Sequence, residues 1–321
     1  MVLRRALLAL LAILALPVCG CAESREPTAR VASARVAAPP AVVTLTAEDR
    51  AIWRTPRSDP GRIPVLLYHG IDERAAFANQ ADAYYAVAPA EFAKQMALLH
   101  HAGYRAITLE QFRRFHAGEP VDLPAHPILI TFDDGRADAP LNADPVLARY
   151  DWSAAMFVDV GAVTAGAAEY ATWEQLAAMQ ESGRWSIQLH AGRGHHNIRY
   201  GAGARDVGPY YAYRDALHGE TLDDWHGRVA ADLEWGAGEL RRHVPGYEPL
   251  AFAPPFGAYG QIGTNDPGIP RLMERELRDR FGLVFVQEDP RPAGPGGLEV
   301  PRLQLDRTMT GGELHSWLET G

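Results

Sequence analysis

The sequence predicts an α/β fold, a single barrel in which short buried strands alternate with amphipathic helices. From residue 62 onward, apolar runs alternate with segments of helical period, which indicates parallel strands joined by helices. The alternation continues to residue 318, so one barrel is favoured over two domains in this chain of 321 residues. The predicted strands, in order, are IPVLLYH at 63–69, ILITF at 128–132, AAMFV at 154–158, WSIQLH at 185–190, LAFA at 250–253, LVFV at 283–286 and LQLD at 303–306.

Helices are predicted where apolar residues recur on one face and capping residues mark the ends. In 88–103, Pro89 suits a first helical position and Gly103 suits the stop. Thr172 and Gln175 form a predicted capping box for the helix of 172–183. Thr221 opens the longest predicted helix, whose apolar residues fall along one stripe.

Residues 1–20 predict a bacterial lipoprotein signal peptide. A basic pair, Arg4 and Arg5, precedes an apolar run, and VCGC resembles a lipobox in which Cys21 would carry the lipid. Ordinary secretion and an uncleaved membrane anchor are the alternatives. Residues 21–61 then predict a flexible tether with room for one short ordered piece, before a catalytic domain at 62–318. The expected location is therefore the bacterial cell envelope, on a lipid anchor.

Charge and cysteine content exclude several classes of function. Cleavage after residue 20 would remove two arginines and no acids, so the formal charge would move from −9 to −11. Such an acidic domain is a poor candidate for nucleic-acid binding, which depends on basic patches. The two cysteines of the chain, Cys19 and Cys21, lie on either side of the predicted cleavage point, so the rest of the chain has none for disulfides or thiolate ligands.

Candidate catalytic groups follow three of the predicted strands. In a parallel βα barrel the carboxyl ends of the strands meet on one rim. Asp133 and Asp134 follow ILITF, His190 ends WSIQLH, and residues 254–257 follow LAFA. Taken alone, the two acids and Gly135 would equally suit a turn that caps the next helix.

The histidines favour a metal site over a simple turn. His190, His195 and His196 lie within seven residues, and neutral imidazoles with one carboxylate can hold a divalent metal such as zinc. A water on an open metal site becomes a nucleophile near neutral pH, and a second carboxylate can accept its proton. The two adjacent acids, Asp133 and Asp134, are therefore expected to have different roles.

Three motifs in this order resemble the polysaccharide deacetylase family, also called the NodB-homology domain or carbohydrate esterase family 4. They are TFDDG at 131–135, HAGRGH at 190–195 and APPFG at 253–257, and the wider similarity covers 62–318. The resemblance implies a distorted (β/α)7-type barrel and a metal-dependent hydrolase. The five-residue spacing of the histidines is closest to the branch that deacetylates poly-β-1,6-N-acetylglucosamine.

The resemblance also implies a role for each matching residue. Asp133 would be the general base that activates a water on the metal, and Asp134, His190 and His195 would be the metal ligands. His196 is a rival ligand that spacing does not exclude. The metal would be a divalent ion, with zinc expected and other transition metals allowed.

Other positions concern the oxyanion and the proton donor. The backbone N–H of Phe256 would stabilise the oxyanion of the reaction. Many family members carry an arginine where this chain has Ala253, and a late histidine motif is absent, since His315 falls on a predicted terminal helix. His69, at the end of the first strand, is a candidate proton donor or else a packing residue.

The expected function is removal of N-acetyl groups from an exported amino-sugar polysaccharide. Peptidoglycan, chitin oligomers and O-acetyl esters are alternative substrates. A glycoside hydrolase needs two acids roughly 5–10 Å apart across a sugar, which adjacent acids do not easily provide. A non-catalytic envelope glycan-binding protein is the alternative of another class; Ala253 favours it, and the intact acids and histidines oppose it. The expected partners are an acetylated polysaccharide and, through the lipid, a membrane.

Overall fold

Residues 43–54, 59, 61–73, 80–288 and 291–320 are described by the structure, a computed structural model of the chain. They lie in one compact unit that spans residues 36–321. The predicted signal peptide with Cys21, and most of the predicted tether, lie outside the described residues. None of the helices in the described ranges combines the length and the apolar character needed to cross a membrane.

The described part of the chain forms strands and helices that alternate along most of its length. In chain order they are α1 (Ala47–Ile52), β1 (Val65–Tyr68), α2 (Gln80–Tyr85), α3 (Pro89–Ala102), β2 (Arg105–Ala106), α4 (Leu109–His116), β3 (Pro127–Phe132), a π-helix (Ala139–Ala143), α5 (Asp144–Tyr150), β4 (Ala154–Asp159), α6 (Val160–Ala165), α7 (Trp173–Glu181), β5 (Trp185–Ala191), β6 (Asn197–Arg199), β7 (Val207–Pro209), a 3-10 helix (Ala216–His218), α8 (Leu222–His243), β8 (Ala251–Phe252), a 3-10 turn (Pro255–Gly257), α9 (Ile269–Arg280), β9 (Leu283–Val286), β10 (Glu299–Pro301), β11 (Leu303–Gln304) and α10 (Gly311–Thr320).

The main sheet is parallel and almost closes on itself. Its strand order is β10-β9-β8-β5-β4-β3-β1-β11, with β2 beside β3. The two outermost strands, β10 and β11, are separated in the chain by Arg302 alone, and they pair with β9 and β1 at opposite ends of the order. The segment 299–304 therefore joins the two ends of the sheet into a nearly closed barrel. The predicted α/β barrel is confirmed, and each of the seven predicted strands is present.

Strand residues fall alternately into two buried clusters, as the two-residue period of a strand requires. Ile130 and Met156 belong to the larger cluster, which packs against the surrounding helices. Leu129 and Phe157 belong to the second, which also contains Phe112 of α4. We place this second cluster inside the barrel, where it supports the strand ends that carry the candidate site.

Local capping chemistry sets the starts of the helices. The Thr172 side chain accepts a hydrogen bond from the Gln175 N–H, and the Gln175 side chain accepts one from the Thr172 N–H. These two bonds confirm the predicted capping box of α7. Thr221 is the N-cap of α8, the 22-residue helix that passes the candidate site. Gly103 ends α3 in the left-handed conformation, with φ of 99°.

Part of the segment predicted as a tether, residues 21–61, is a short helix that packs onto the barrel. Thr46 and Asp49 form a capping box that starts α1 within the predicted tether. Trp53, which follows α1, is 2% exposed and joins the main core, where its ring meets that of His315 on α10 edge-on at 5.2 Å. The Ala, Pro and Ser composition of this stretch concealed one short helix and one buried tryptophan.

Candidate metal centre and active site

The strand β3 ends at the rim in two acids and a glycine that turn the chain. The Asp133 N–H donates to the Tyr68 carbonyl at 3.0 Å and so continues the ladder with β1. Asp134 and Gly135 then take left-handed φ values of 74° and 77°. A Cβ on Gly135 would lie 3.1 Å from a Val158 methyl, so both the positive φ and the close contact favour glycine at this position. Asp134 is one of few non-glycine residues with positive φ, a strain of order 1–3 kcal/mol that functional sites commonly hold.

Asp133 is buried and paired with Arg302. The Nη1 and Nη2 atoms of Arg302 donate to the two carboxylate oxygens of Asp133 at 2.7 and 2.8 Å, and both side chains are 0% exposed. Burial alone would raise the pKa of Asp133, but the charges of Arg302 and His190 and the Arg302 hydrogen bonds hold this pKa below its ordinary value. The pair therefore keeps Asp133 ionised and fixes its orientation, as a proton acceptor requires.

Asp134, His190 and His195 form a group that can hold a metal ion. The Asp134 Oδ1 atom lies 3.5 Å from His190 Nε2 and 3.4 Å from His195 Nε2. Their three ligand atoms all lie within 4.8 Å of one another. His196 is exposed and outside this group; its Nδ1 lies 3.1 Å from the Arg193 carbonyl oxygen and its ring lies beside Tyr210.

In both His190 and His195 the Nδ1 atom faces an oxygen of the protein, and this contact orients the Nε2 atom toward Asp134. The His190 Nδ1–H donates to the Ala253 carbonyl at 2.6 Å, so Nε2 carries the lone pair. The His195 Nδ1 atom lies 3.7 Å from an Asp159 oxygen. Backbone carbonyls and carboxylates behind the ligating histidines are typical of metal sites, and this mixed nitrogen and oxygen donor set fits zinc or a similar divalent cation.

The two histidines have opposite pKa shifts. Burial lowers the pKa of His190 to about 4. Burial also acts to lower the pKa of His195, but the hydrogen bond to Asp134 and the charges of Asp134 and Asp159 outweigh it and raise this pKa to about 9. For Asp134, burial acts to raise the pKa, and the His195 hydrogen bond and the nearby histidine charges hold it well below its ordinary value. In the metal-free protein His190 is therefore neutral, whereas His195 and Asp134 form an ion pair.

The loop between the two histidines is fastened to α8 through Asp232. The backbone N–H groups of Gly192 and Arg193 donate to the Asp232 carboxylate at 3.0 and 2.7 Å, and the Tyr211 hydroxyl donates to the same carboxylate. A Cβ on Gly192 would lie 2.3 Å from the Asp232 carbonyl oxygen, so glycine is required for this close approach. The position of His195 therefore depends on a residue 37 positions further along the chain.

Phe256 lies against the metal-ligand group. It sits in the turn Pro255–Gly257 with φ of 61° and ψ of 16°, and its ring stacks on that of His195 with centroids 5.3 Å apart. Its side chain is 45% exposed, so the ring is accessible from solvent. The turn is therefore next to the candidate metal site, and the oxyanion role of the Phe256 N–H stays a prediction.

His69 lies beside the two acids at the end of β1. Its ring stacks on that of Tyr85 with centroids 5.3 Å apart. Its charge contributes to lowering the pKa values of both Asp133 and Asp134. The buried Nδ1 atom has no hydrogen-bond partner among the described residues, which is uncommon for a packing histidine.

Sequence reasoning missed Arg302, Asp159 and Asp232. Arg302 had only a weak sequence signal, a basic residue within the mainly apolar stretch VPRLQL, and the structure pairs it with Asp133. Asp159 directly follows AAMFV and so also belongs to the predicted rim. Asp232 gave no signal, because an acid on a long helix is ordinary.

Comparisons with known proteins support the family resemblance. Residues 121–264 match the family model described as polysaccharide deacetylase. Poly-beta-1,6-N-acetyl-D-glucosamine N-deacetylase of Escherichia coli (strain K12) is 25% identical over 220 residues, which cover 63% of this chain and 31% of that protein. The chain thus spans about a third of the length of this relative.

Solved structures share the fold. The de-N-acetylase from Aggregatibacter actinomycetemcomitans has a TM-score of 0.67 at 20% identity, over 80% of this chain and 99% of that one. IcaB from Ammonifex degensii has a TM-score of 0.62 at 24% identity, over 81% of this chain and 98% of that one. At these identities the likeness shows a common barrel fold.

Proposed function

We propose that this chain, whose residues 121–264 match the polysaccharide deacetylase family model, is a hydrolase that removes N-acetyl groups from an exported amino-sugar polysaccharide, poly-β-1,6-N-acetylglucosamine. One observation carries the proposal: a buried carboxylate held ionised by Arg302 adjoins a group of one acid and two histidines. Two consecutive residues thus have different roles, because Asp133 can accept a proton while Asp134 belongs to the metal-ligand group. The matched relative of Escherichia coli supports the choice of polymer.

Zinc is the metal we propose. A divalent cation held by Asp134, His190 and His195 would polarise the acetamide carbonyl and lower the pKa of a water molecule. The positive charge of the cation would stabilise the negative charge that develops on the carbonyl oxygen. This effect is larger in a buried site, where charges interact more strongly than in water.

The remaining steps fall to the chain's own residues. Asp133 accepts the proton of the attacking water, while Arg302 keeps its carboxylate ionised and aligned. The Phe256 N–H donates to the carbonyl oxygen as this oxygen gains negative charge. His69 gives a proton to the leaving nitrogen. A C–O bond forms, the amide C–N bond breaks, and the products are acetate and a free amine on the sugar.

The proposal includes an exported location. Residues 1–20 would act as a lipoprotein signal, Cys21 would carry the lipid, and the segment after it would tether the enzyme to the bacterial cell envelope. Mass spectrometry of the mature protein tests this: we expect a diacylglyceryl group on Cys21, and a Cys21→Ser variant without it. An unmodified mature terminus at another residue would contradict the anchor.

Acetate release tests the activity. Metal-stripped and zinc-reconstituted protein would be assayed on poly-β-1,6-N-acetylglucosamine, peptidoglycan, chitin oligomers and an O-acetyl ester. We expect release from the first polymer that chelator abolishes and zinc restores, and a loss of about 10²–10⁴-fold in kcat for Asp133→Asn with bound metal unchanged. Equal release by Asp133→Asn would exclude the base assignment. No release from any acetylated substrate would favour a non-catalytic glycan-binding protein.

A further inference from the structure

A cavity opens beside the metal-ligand group, against α6 and α8. Its volume is about 410 Å³, within the range of small-molecule sites. Its lining consists of Asp159, Arg193, His195 and Trp235 together with four residues of α6, Gly161, Ala162, Thr164 and Ala165. Because His195 belongs both to this cavity and to the metal-ligand group, a ligand can extend from one into the other.

The Arg193 side chain is held in place without an acidic partner. Its guanidinium carbon lies 3.7 Å from the centroid of the Trp235 ring, and its backbone N–H donates to Asp232 at 2.7 Å. Within the described ranges, no side chain or carbonyl accepts a hydrogen bond from this guanidinium and no carboxylate pairs with it. Stacking uses the face of the guanidinium, so its N–H donors at the edge are available to a ligand.

The helix α6 and its N-cap Asp159 give the cavity apolar surface and a hydrogen-bond acceptor. Gly161 and Ala162 lie in the first turn of α6 and give the cavity little side-chain bulk. A Cβ on Gly161 would lie 2.7 Å from the Gly192 carbonyl oxygen, so α6 packs closely against the loop that carries His195. Asp159 caps α6 by accepting from the Ala162 N–H at 3.1 Å. The cavity therefore places a carboxylate and a guanidinium around an aromatic ring and small apolar residues.

This combination suits an uncharged sugar ring better than an ion. Each hydroxyl of a sugar both donates and accepts, so one ring can satisfy the Asp159 carboxylate and the Arg193 guanidinium together. The C–H faces of the sugar ring can pack against the small residues of α6 and against the part of the Trp235 ring that the Arg193 guanidinium does not cover. An anionic substituent would gain from Arg193 but would be repelled by Asp159.

We propose that this cavity is a subsite for the neutral sugar unit next, along the polymer, to the unit whose acetamide reaches the metal-ligand group. Arg193 and Trp235 then determine the preference for polymers over small acetylated compounds. This inference rests on the proposed deacetylase function.

The test compares a long substrate with a short one. Arg193→Met and Trp235→Leu would be assayed on a pentamer of β-1,6-linked N-acetylglucosamine and on an acetyl ester of a phenol, which is too small to fill both sites. On the pentamer we expect kcat/KM to fall about tenfold, mainly through KM, whereas values on the ester and the bound zinc stay within twofold. Arg278→Met is the matched control, since Arg278 pairs with Glu274 on α9 and does not line this cavity.

Binding to the metal-free protein gives a second measurement that does not depend on catalysis. Calorimetry should show the pentamer about tenfold weaker for both cavity variants and unchanged for the control. If both cavity variants bind the pentamer and turn it over as well as the wild-type protein does, the subsite proposal is overturned and the deacetylase proposal stays intact. A wild-type protein that releases no acetate from the pentamer would instead overturn the deacetylase proposal. Equal losses on ester and pentamer would show that Arg193 acts through the histidine loop, and a loss confined to carboxylated sugars would exclude a neutral ligand.

Discussion

The candidate site has a part carried by strands and a part carried by a loop. In the strand-borne part, Asp133 and His190 are 0% and 2% exposed. Arg302, from the segment that closes the barrel, fixes Asp133, and the Ala253 carbonyl from a neighbouring strand fixes His190. The first contact depends on closure of the barrel and the second on the pairing of adjacent strands, so the same interactions hold the fold and the site.

In the loop-borne part, His195 follows β5 by four residues, and its side chain is 25% exposed. Its backbone neighbourhood is held by the bonds from Gly192 and Arg193 to Asp232. These contacts can break without opening the barrel. We therefore expect that substitutions in the strand-borne part lower the free energy of unfolding of the whole domain, whereas substitutions in the loop-borne part mainly lower the affinity for the metal.

The largest expected effect is that of removing Arg302. Arg302→Met leaves the Asp133 carboxylate buried without its partner, which should lower the free energy of unfolding by roughly 3–5 kcal/mol. Urea unfolding of the metal-free protein measures this. Arg302→Lys should lose less, since the charge remains. The control Arg278→Met breaks the exposed pair with Glu274 and should change stability by about 1 kcal/mol or less. Equal midpoints for Arg302→Met and the control would show that the strand-borne part does not hold the fold.

The second effect separates the two rival ligands. His195→Ala should weaken zinc binding by more than the roughly 10–100-fold typical of residues behind a ligand, because a ligand itself is lost. His196→Ala should leave zinc affinity unchanged, since its ring lies outside the group. Chelator competition measures both, with urea unfolding as a check that neither variant has lost its fold. The reverse order would move the metal site by one residue.

A smaller effect is expected at the fastening of the loop. Asp232→Ala leaves the Gly192 and Arg193 N–H groups and the Tyr211 hydroxyl without their acceptor. Zinc affinity should fall roughly 10–100-fold, and unfolding free energy by roughly 1–3 kcal/mol. Tyr211→Phe removes one of the three bonds and should cost about 1 kcal/mol. Unchanged zinc affinity in Asp232→Ala would mean that the loop holds its own shape.

The smallest expected effect is the difference between the pKa values of His190 and His195 in the metal-free protein. NMR titration of the imidazoles should give a pKa of about 4 for His190 and about 9 for His195. Because the folded pKa of His195 is raised, its contribution to stability is complete below pH of about 6.5 and is lost as pH rises through about 9. Zinc must displace this proton, so zinc affinity should increase with pH up to about 9. Two imidazoles that both titrate near 6.5 would contradict the pairing of His195 with Asp134.

Much of the strand-borne part could be predicted because buried parallel strands are apolar runs with abrupt polar ends. ILITF and WSIQLH stood out in this way, and the acids and the histidine at their ends share the rim that the sequence predicted. The motif resemblance added the separate roles of Asp133 and Asp134, which composition treats alike. These roles stay predictions until the variants are measured.

Short elements and distant partners could not be predicted. The strand β10 has three residues and ends in Pro301, so neither its length nor its period identifies it. The choice between His195 and His196 depends on how the loop turns, which Asp232 controls from α8.

The sequence by itself determined the order of the longer strands and helices, the helix caps and the acids and histidines on the rim, since each depends on residues a few positions apart. Only the tertiary structure decided that Arg302 pairs with Asp133, 169 residues away, that His195 joins His190 at Asp134, and that Arg193 and Trp235 line a cavity beside them. Closure of the barrel brings these side chains together, and no local period in the sequence records that closure.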